Sequence, residues 1–293
     1  MPKSNRLLVR QRQRAGELRK QADEQLKNGN NDRAITDYTE SIRLNPNDAM
    51  AYNGRGNAHL KKGNYTQAIT DWESTLQLDT TITEARRNID NARQQQQRER
   101  EQQQREQFQR AQALYDQGKK NLDIRDYNRA ITDLTEAIIF NPNISDYYFQ
   151  RARAYSALNQ YDNAIADYSQ VIRLTPNDWG AYHNRGHMYK NKKDYDRAIA
   201  DLNQSISLNP NYAYSYAHRG DAYLGKKNYS MAITDFTEVI RLDPKYATAY
   251  NNRGVCYEDI GDYRRAQADY WTAHGLEPNS TLYYNNYRRM LQK

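Results

Sequence analysis

The prolines of this chain recur at a fixed interval. Five of them lie 34 residues apart, namely Pro142, Pro176, Pro210, Pro244 and Pro278. An alanine series has the same spacing, at Ala130, Ala164, Ala198, Ala232 and Ala266. A unit of 34 residues cannot bury its own apolar face, so the chain must build its core by stacking one unit on the next.

Alignment on these positions yields seven repeats, numbered 1 to 7, which are 15–48, 49–82, 111–144, 145–178, 179–212, 213–246 and 247–280. Each repeat reads as two amphipathic helices joined by a turn, followed by a proline that stops the second helix. Repeat 2 has Thr80 where the proline belongs, so its second helix need not stop there.

The turns and helix starts have their own residue preferences. Four repeats carry glycine or asparagine at the predicted end of the first helix, at Gly29, Gly63, Asn159 and Gly261. Six carry an N-cap residue type at the predicted start of the second helix, at Asp32, Thr66, Asn128, Asp162, Asp196 and Ser230. Five repeats place glycine inside the first helix, and close approach of the alanine-bearing second helix should offset its cost.

The two helices carry motifs such as AYHNRGHMY at 181–189 and DRAIADL at 196–202. A 34-residue helix–turn–helix unit with small, aromatic and proline residues at these offsets resembles the tetratricopeptide repeat (TPR) family. The resemblance covers residues 15–280 except 83–110, and its NRG and LNPN motifs resemble a form common in bacterial repeat proteins. It implies an all-α TPR alpha-alpha superhelix, a solenoid that binds other proteins.

Composition and charge narrow the function classes. The 26 tyrosines argue against disorder, although the hydrophobic content is only 38%. Residues 1–20 hold seven basic residues and one acidic one, so almost all of the net charge of +7 lies there. Contact with nucleic acid or a membrane is therefore expected only through a basic arm at 1–14, which is otherwise a solvated leader. The single Cys256 fits a reducing compartment, and we expect a cytoplasmic location.

Two segments lie outside the repeats. Residues 83–110 include a run from Arg93 to Gln107 without any apolar residue. Their high helix propensity predicts a solvated bridging helix continuous with repeat 3, the alternative being a disordered Gln-rich tether. Residues 281–293 are expected to form a C-terminal capping helix, with four residues covering repeat 7, namely Leu282, Tyr283, Tyr287 and Leu291.

Every repeat has an aspartate at position 23, and five have an arginine at position 7. Repeats 1 and 3 carry Gln21 and Gln117 instead, and each would begin a separate stack. We therefore predict that each aspartate pairs with the arginine of the next repeat. The predicted pairs are Asp37–Arg55, Asp133–Arg151, Asp167–Arg185, Asp201–Arg219 and Asp235–Arg253. Pairing within one repeat, or two separately solvated charges, is the alternative.

The chain lacks the motifs of an enzyme. There is no glycine-rich phosphate loop, HExxH, GxSxG or metal-type cysteine spacing, so neither a cofactor nor a small-molecule substrate is expected. Cys256 reads as a core residue. His183, His187 and His218 could share a cavity and hold zinc or copper. Histidines that face solvent in a peptide groove, or a pH-sensitive partner contact, are the favoured interpretation.

In the TPR family the first helices line a concave groove. The groove offsets of the family imply the following binding residues here: Tyr115, Lys119, Phe149, Gln150, Arg153, His183, Asn184, His187, Lys190, Tyr214, His218, Asp221, Asn251, Asn252 and Glu258. Such residues suit a scaffold or adaptor that grips a protein or peptide partner. Solvated surface is the alternative for each residue, and a self-assembling homo-oligomer is the alternative for the whole. The two-carboxylate clamp of chaperone-tail binders is missing.

Overall fold

The computed structural model describes the backbone of residues 3–291 and the side chains of residues 6–291. The predicted arm begins, and the predicted cap ends, in residues that lie outside this range. Fifteen helices and no strand occur within it. In chain order the helices are α1 (Lys3–Lys27), α2 (Asn31–Leu44), α3 (Ala49–Lys61), α4 (Tyr65–Leu78), α5 (Thr83–Asp123), α6 (Tyr127–Phe140), α7 (Ser145–Ala157), α8 (Tyr161–Leu174), α9 (Trp179–Asn191), α10 (Tyr195–Leu208), α11 (Ala213–Gly225), α12 (Tyr229–Leu242), α13 (Ala247–Asp259), α14 (Tyr263–Leu276) and α15 (Thr281–Met290). The predicted all-α solenoid of helix–turn–helix repeats is confirmed.

The two helices of a repeat pack through a glycine. In repeat 6, a Cβ added to Gly220 would lie 2.8 Å from Cε1 of Phe236. The aromatic ring therefore fits only because glycine has no side chain. Gly56, Gly118, Gly186 and Gly254 meet the residue at the same position in their own repeats, which is Trp72, Leu134, Leu202 and Tyr270. The large side chain of the second helix therefore offsets the glycine's helix cost more directly than the alanine expected from the sequence.

The glycine and asparagine residues predicted to end the first helix are confirmed in all four repeats that carry them. Gly29, Gly63, Gly261 and Asn159 all have positive φ, between 58° and 82°. The other three turns use Arg125, Lys193 and Lys227 at φ of 59° to 62°, so the repeated turn geometry is kept even where the residue disfavours it. The second helix of repeat 2, α4, also stops, at Leu78, although no proline follows it. Asp79 stabilises the turn that follows, because its Oδ1 accepts a hydrogen bond from Thr81 N (2.9 Å).

The predicted N-caps are wrong by two residues. The second helices begin at a tyrosine or at Asn31, and the cap lies one residue before that start. Asp126, Asp194, Asn228 and Asp262 accept a hydrogen bond there from the backbone N–H three residues on. Two polar residues lie close together in each turn, and only the backbone geometry shows which of them caps the helix.

The predicted inter-repeat ion pairs are wrong, because each arginine pairs with the aspartate of its own repeat. The observed pairs are Arg55–Asp71, Arg151–Asp167, Arg185–Asp201, Arg219–Asp235 and Arg253–Asp269, each with two N–H···O bonds of 2.6–2.9 Å. The third guanidinium nitrogen donates to the preceding repeat, to Thr39, Thr135, Ser169, Asn203 and Thr237 respectively. These acceptors follow the aspartate of their own repeat by two residues, about 200° around the helix, so the two positions face different neighbours.

The described helices form two compact units, Met1–Glu106 and Gln107–Lys293. The segment 83–110 is helical and continuous with repeat 3, as expected, but in the first unit the start of α5 is not solvated. Ala85, Ile89 and Ala92 are buried with Trp72, and Tyr65 donates to Glu99 (2.7 Å). Residue 83 lies 34 residues after residue 49, so the start of α5 serves as the first helix of an incomplete repeat. Residues 100–110 are all exposed to solvent.

In the second unit, α15 caps repeat 7 with two of the four predicted residues. Tyr283 is buried and Tyr287 packs on the core, but Leu282 and Leu291 are 59% and 58% exposed. Met290 and Asn286 are buried in their place. Like the start of α5, α15 follows the 34-residue register and occupies the position of a first helix.

Candidate interaction surface

The first helices of the second unit border an open cleft of about 510 Å³. Its lining residues come from α7, from α9 and from the residues directly before α9 and α11. They are Asp146, Phe149, Gln150, Arg153, Asp178, Trp179, Gly180, His183, Asn184 and Tyr212. Five of the predicted groove residues are among them, so the register of the repeats brings these side chains together as expected from the spacing.

Aromatic rings form the walls of the cleft. The ring centroids of Trp179 and Tyr212 lie 4.6 Å apart, with the planes inclined by 54°. Phe149 packs edge-on against Tyr168, at 5.5 Å. Half-buried aromatic faces of this kind offer contact area to an apolar or a cationic group.

Carboxylate and amide groups line the rest of the cleft. Asp178 caps α9 by accepting from Ala181 N (2.9 Å). Asp146 accepts from Gln150 Nε2 (3.0 Å) and from the hydroxyl of Tyr115. Arg153 donates to Gln150 Oε1 (2.7 Å) and makes no ion pair within the described residues.

A group of three histidines lies beside the cleft. His187 stacks on His218 with ring centroids 4.2 Å apart, and His183 lies 5.2 Å from His218. Burial lowers the pKa of His183 to about 3, and the neighbouring His218 and His187 add to this shift. Burial also lowers the pKa of His187 to about 3, with contributions from His218 and Lys190. Both rings are therefore neutral at physiological pH.

The histidines continue into a chain of hydrogen bonds across the first helices. Lys190 Nζ lies 3.4 Å from His218 Nδ1 and donates to Asp221 (3.2 Å). Asn252 donates to the other oxygen of Asp221 (3.0 Å). Burial would raise the pKa of Asp221, but the neighbouring His218 and the charge of Lys190 hold it below its usual value. These side chains hold one another and are not free to rearrange independently.

Comparisons with family models match most of the repeats. Tetratricopeptide repeat models match residues 19–80, 134–166, 180–212 and 247–280, and a model described as TPR repeat matches 152–193 and 220–261. The chain belongs to the tetratricopeptide repeat family. TPR proteins are generally interaction scaffolds and not enzymes.

Solved TPR structures share the fold of this chain. MamA has 23% identity and a TM-score of 0.55, with 57% of this chain and 92% of that chain covered. MamA from Desulfovibrio magneticus RS-1, residue 41 to its end, has 22% identity and a TM-score of 0.56, covering 59% and 97%. YrrB, described as a TPR protein with an unusual peptide-binding site, has 17% identity and a TM-score of 0.54, covering 60% and 90%. No curated protein sequence matches the chain.

Some predicted groove residues of this TPR protein lie where no ligand can reach them easily. Tyr115 is buried against Tyr147, with ring centroids 5.0 Å apart. Asn251 is 4% exposed and accepts from Asn286 (2.8 Å) beneath α15. Glu258 accepts from Tyr270 (2.8 Å) and from Arg289 (2.5 Å), so it joins the cap to repeat 7. The groove positions taken from the family do not account for the helix that follows, and that helix covers some of these positions in this chain.

Other predicted groove residues remain accessible. Lys119 is exposed, with its ammonium 5.3 Å from the ring centre of Tyr115. Tyr214 is 46% exposed and packs edge-on against Tyr246 at 5.6 Å.

Three residues that shape the cleft, Asp178, Trp179 and Tyr212, were missed by the sequence analysis. They lie at repeat boundaries, where first helices begin, whereas the family offsets sample positions within those helices. An aromatic residue at the start of a first helix is the sequence signal that would have identified Trp179 and Tyr212.

The other chemistry considered from the sequence finds no support in the geometry. No group of three or more His, Cys, Asp or Glu among the described residues is arranged to hold a metal ion, because the histidines stack ring on ring. Burial raises the pKa of Cys256 to about 12, so the thiol is inert in the core of repeat 7. In residues 3–291 no helix is both long enough and apolar enough to cross a membrane.

Proposed function

We propose that this TPR protein is a non-catalytic scaffold or adaptor whose first helices in repeats 4 to 7 hold a peptide or helix of a partner protein. The observation that carries the proposal is the open cleft of about 510 Å³ with aromatic walls and polar lining groups. A cleft of this size suits a few side chains of a polypeptide and is too open to enclose a small substrate.

Five of the predicted residues form the accessible part of this surface, namely Phe149, Gln150, Arg153, Asn184 and Tyr214. His183, His187, Lys190, His218, Asp221 and Asn252 support them through ring stacking and hydrogen bonds. Aromatic and arginine side chains are the residue types that dominate binding energy at protein interfaces. A preorganised support reduces the entropy lost when a partner binds.

The test uses peptides selected from a random phage-displayed library on the full chain. Their dissociation constants are measured by fluorescence anisotropy for the wild type and for a variant with Phe149→Ala and Tyr214→Ala. Loss of two aromatic contacts should weaken binding by about tenfold or more. A control variant with Ile139→Ala and Met231→Ala removes exposed apolar groups from α6 and α12 and should bind like the wild type.

Equal binding by the groove variant and the wild type would contradict the proposal, as would the absence of any binding peptide. Phe149 packs on Tyr168, so thermal melting followed by circular dichroism checks that the variant is folded. Tyr214→Ala alone, at an exposed side chain, supplies a second measurement. Homo-oligomerisation, a role of the arm at 1–14 with nucleic acid or membranes, and the cytoplasmic location remain predictions.

A further inference from the structure

The cleft has a counterpart in the first unit at the same positions of the repeat. Asp178 is the last residue of repeat 4 and caps α9, and Asp48 is the last residue of repeat 1 and caps α3. Each aspartate accepts from the first turn of its helix, at Ala181 N in α9 and at Met50 N and Ala51 N in α3. The two caps therefore present a carboxylate in the same way.

In the first unit this carboxylate holds a guanidinium. Arg19 Nη1 lies 2.9 Å from Asp48 Oδ1 and 3.1 Å from Oδ2. Arg19 occupies position 5 of repeat 1, and the pair is largely shielded, with the side chains of Arg19 and Asp48 31% and 11% exposed. The chain itself thus shows which kind of group an aspartate at this position binds.

In the second unit the cation is missing. Position 5 of repeat 4 is Phe149, so no arginine reaches Asp178. Neither Asp178 nor Asp146 makes an ion pair with any part of the chain that the structure describes. The two basic groups at the cleft do not neutralise them, because His183 is uncharged and Arg153 donates to Gln150. The lining of the cleft therefore carries two negative charges, on Asp146 and Asp178, and one positive charge, on Arg153.

The walls of the cleft suit a planar cation. The rings of Trp179 and Tyr212 are 4.6 Å apart and inclined by 54°, and an aromatic face attracts a guanidinium or ammonium placed within about 6 Å of it. Gly180 leaves the floor open, since a Cβ there would lie 3.2 Å from Asp178 Oδ1 and 3.9 Å from Phe149. A guanidinium that stacks on a ring can still offer its N–H groups to a carboxylate in its own plane.

We propose that the cleft binds an arginine side chain of the partner peptide, with the guanidinium paired to Asp178 and stacked on Trp179 and Tyr212. The proposal rests on the proposed function and names the side chain that the cleft selects. The selected charge is opposite to that bound by the two-carboxylate clamp, whose residues this chain lacks. Arginine is favoured over lysine because the guanidinium both stacks and forms two parallel hydrogen bonds.

The test titrates the full chain with the peptide Ac-Ala-Ala-Arg-Ala-Ala-NH2 and with the same peptide carrying citrulline, the neutral isostere of arginine. The indole N–H signal of Trp179 is followed by NMR and assigned with Trp179→Phe. The arginine peptide should bind about tenfold or more tightly than the citrulline peptide, and a lysine peptide should fall between them.

Asp178→Asn should reduce the affinity for the arginine peptide to that for the citrulline peptide, while asparagine still caps α9. The matched control is Asp48→Asn, which changes the same position in repeat 1 and should leave the titration unchanged. Equal affinities for arginine and citrulline, or full binding by Asp178→Asn, would overturn the proposal.

The peptides selected in the library separate the two proposals. If they need Phe149 and Tyr214 but bind equally well after arginine is replaced by citrulline, the cleft assignment fails and the scaffold function stands. If no peptide of either kind binds, both fail.

Discussion

At the residue scale, the repeated Arg–Asp pair joins two levels of packing. The guanidinium ties the two helices of one repeat through the carboxylate and reaches the preceding repeat through a hydroxyl or amide. Gln21 and Gln117 replace arginine in repeats 1 and 3, which have no complete repeat directly before them in the sequence. The five arginines also lie 5.5–5.8 Å from the ring centre of the tyrosine three residues before them.

Replacing Arg219 by lysine should lower the free energy of unfolding by about 2 kcal/mol. Asp235 is 1% exposed, and an ammonium cannot satisfy both of its oxygens and Asn203 together. Arg241→Lys is the matched control, because its pair with Glu238 is exposed and its replacement should cost far less. Urea unfolding followed by circular dichroism measures both. Similar losses in the two variants would contradict this account.

At the element scale, the last complete repeat of each unit is followed by a helix in the position of a first helix. The start of α5 covers repeat 2, and α15 covers repeat 7, so the apolar face of the last complete repeat is not left open to water. Such incomplete terminal repeats are what a stack of identical hairpins requires at its end. The outer face at the start of α5 is polar, whereas α15 exposes Leu282, Tyr284 and Leu291 to solvent.

Met290→Ala should lower the free energy of opening of α15 by about 2 kcal/mol. Met290 is 5% exposed and packs with Tyr257, Ala266 and Tyr270. Leu291→Ala, at a side chain that is 58% exposed, should change it by less than about 0.5 kcal/mol. Hydrogen exchange of the α14 and α15 amides reports the opening. A larger effect of Leu291→Ala would restore the assignment made from the sequence.

At the scale of the whole molecule, each compact unit has hydrophobic clusters of its own. Tyr38 and Trp72 centre the clusters of the first unit, and Tyr168, Phe236 and Tyr270 centre three of those in the second. Each of these clusters is formed by residues of one unit, as expected for a repeat stack in which contacts are made between near neighbours.

We therefore expect residues 1–106 and 107–293, produced separately, each to fold cooperatively. Circular dichroism should show two helical fragments, each with its own urea transition. A fragment that begins at residue 124 loses Ala111 and Tyr115 from the core around Leu134, so it should unfold at a lower urea concentration than 107–293. A largely unfolded 107–293 fragment would show that the units depend on each other.

The sequence alone determined the elements of this protein and their order. Helix, turn and stacking follow from the 34-residue period, because each depends on residues close in the chain or one repeat away. The same register brought Phe149, Gln150, Arg153, His183 and Asn184 to one cleft.

Only the tertiary structure decided which groups face each other. The rotation of each helix about its axis determines that each arginine pairs with the aspartate of its own repeat. Asn251 is buried because α15 packs over it. The way α15 packs on repeat 7 determines that Met290 is buried and Leu291 is exposed. The pairing of Asp48 with Arg19, and the absence of a cation at Asp178, likewise depend on where several helices converge, which no one-dimensional spacing describes.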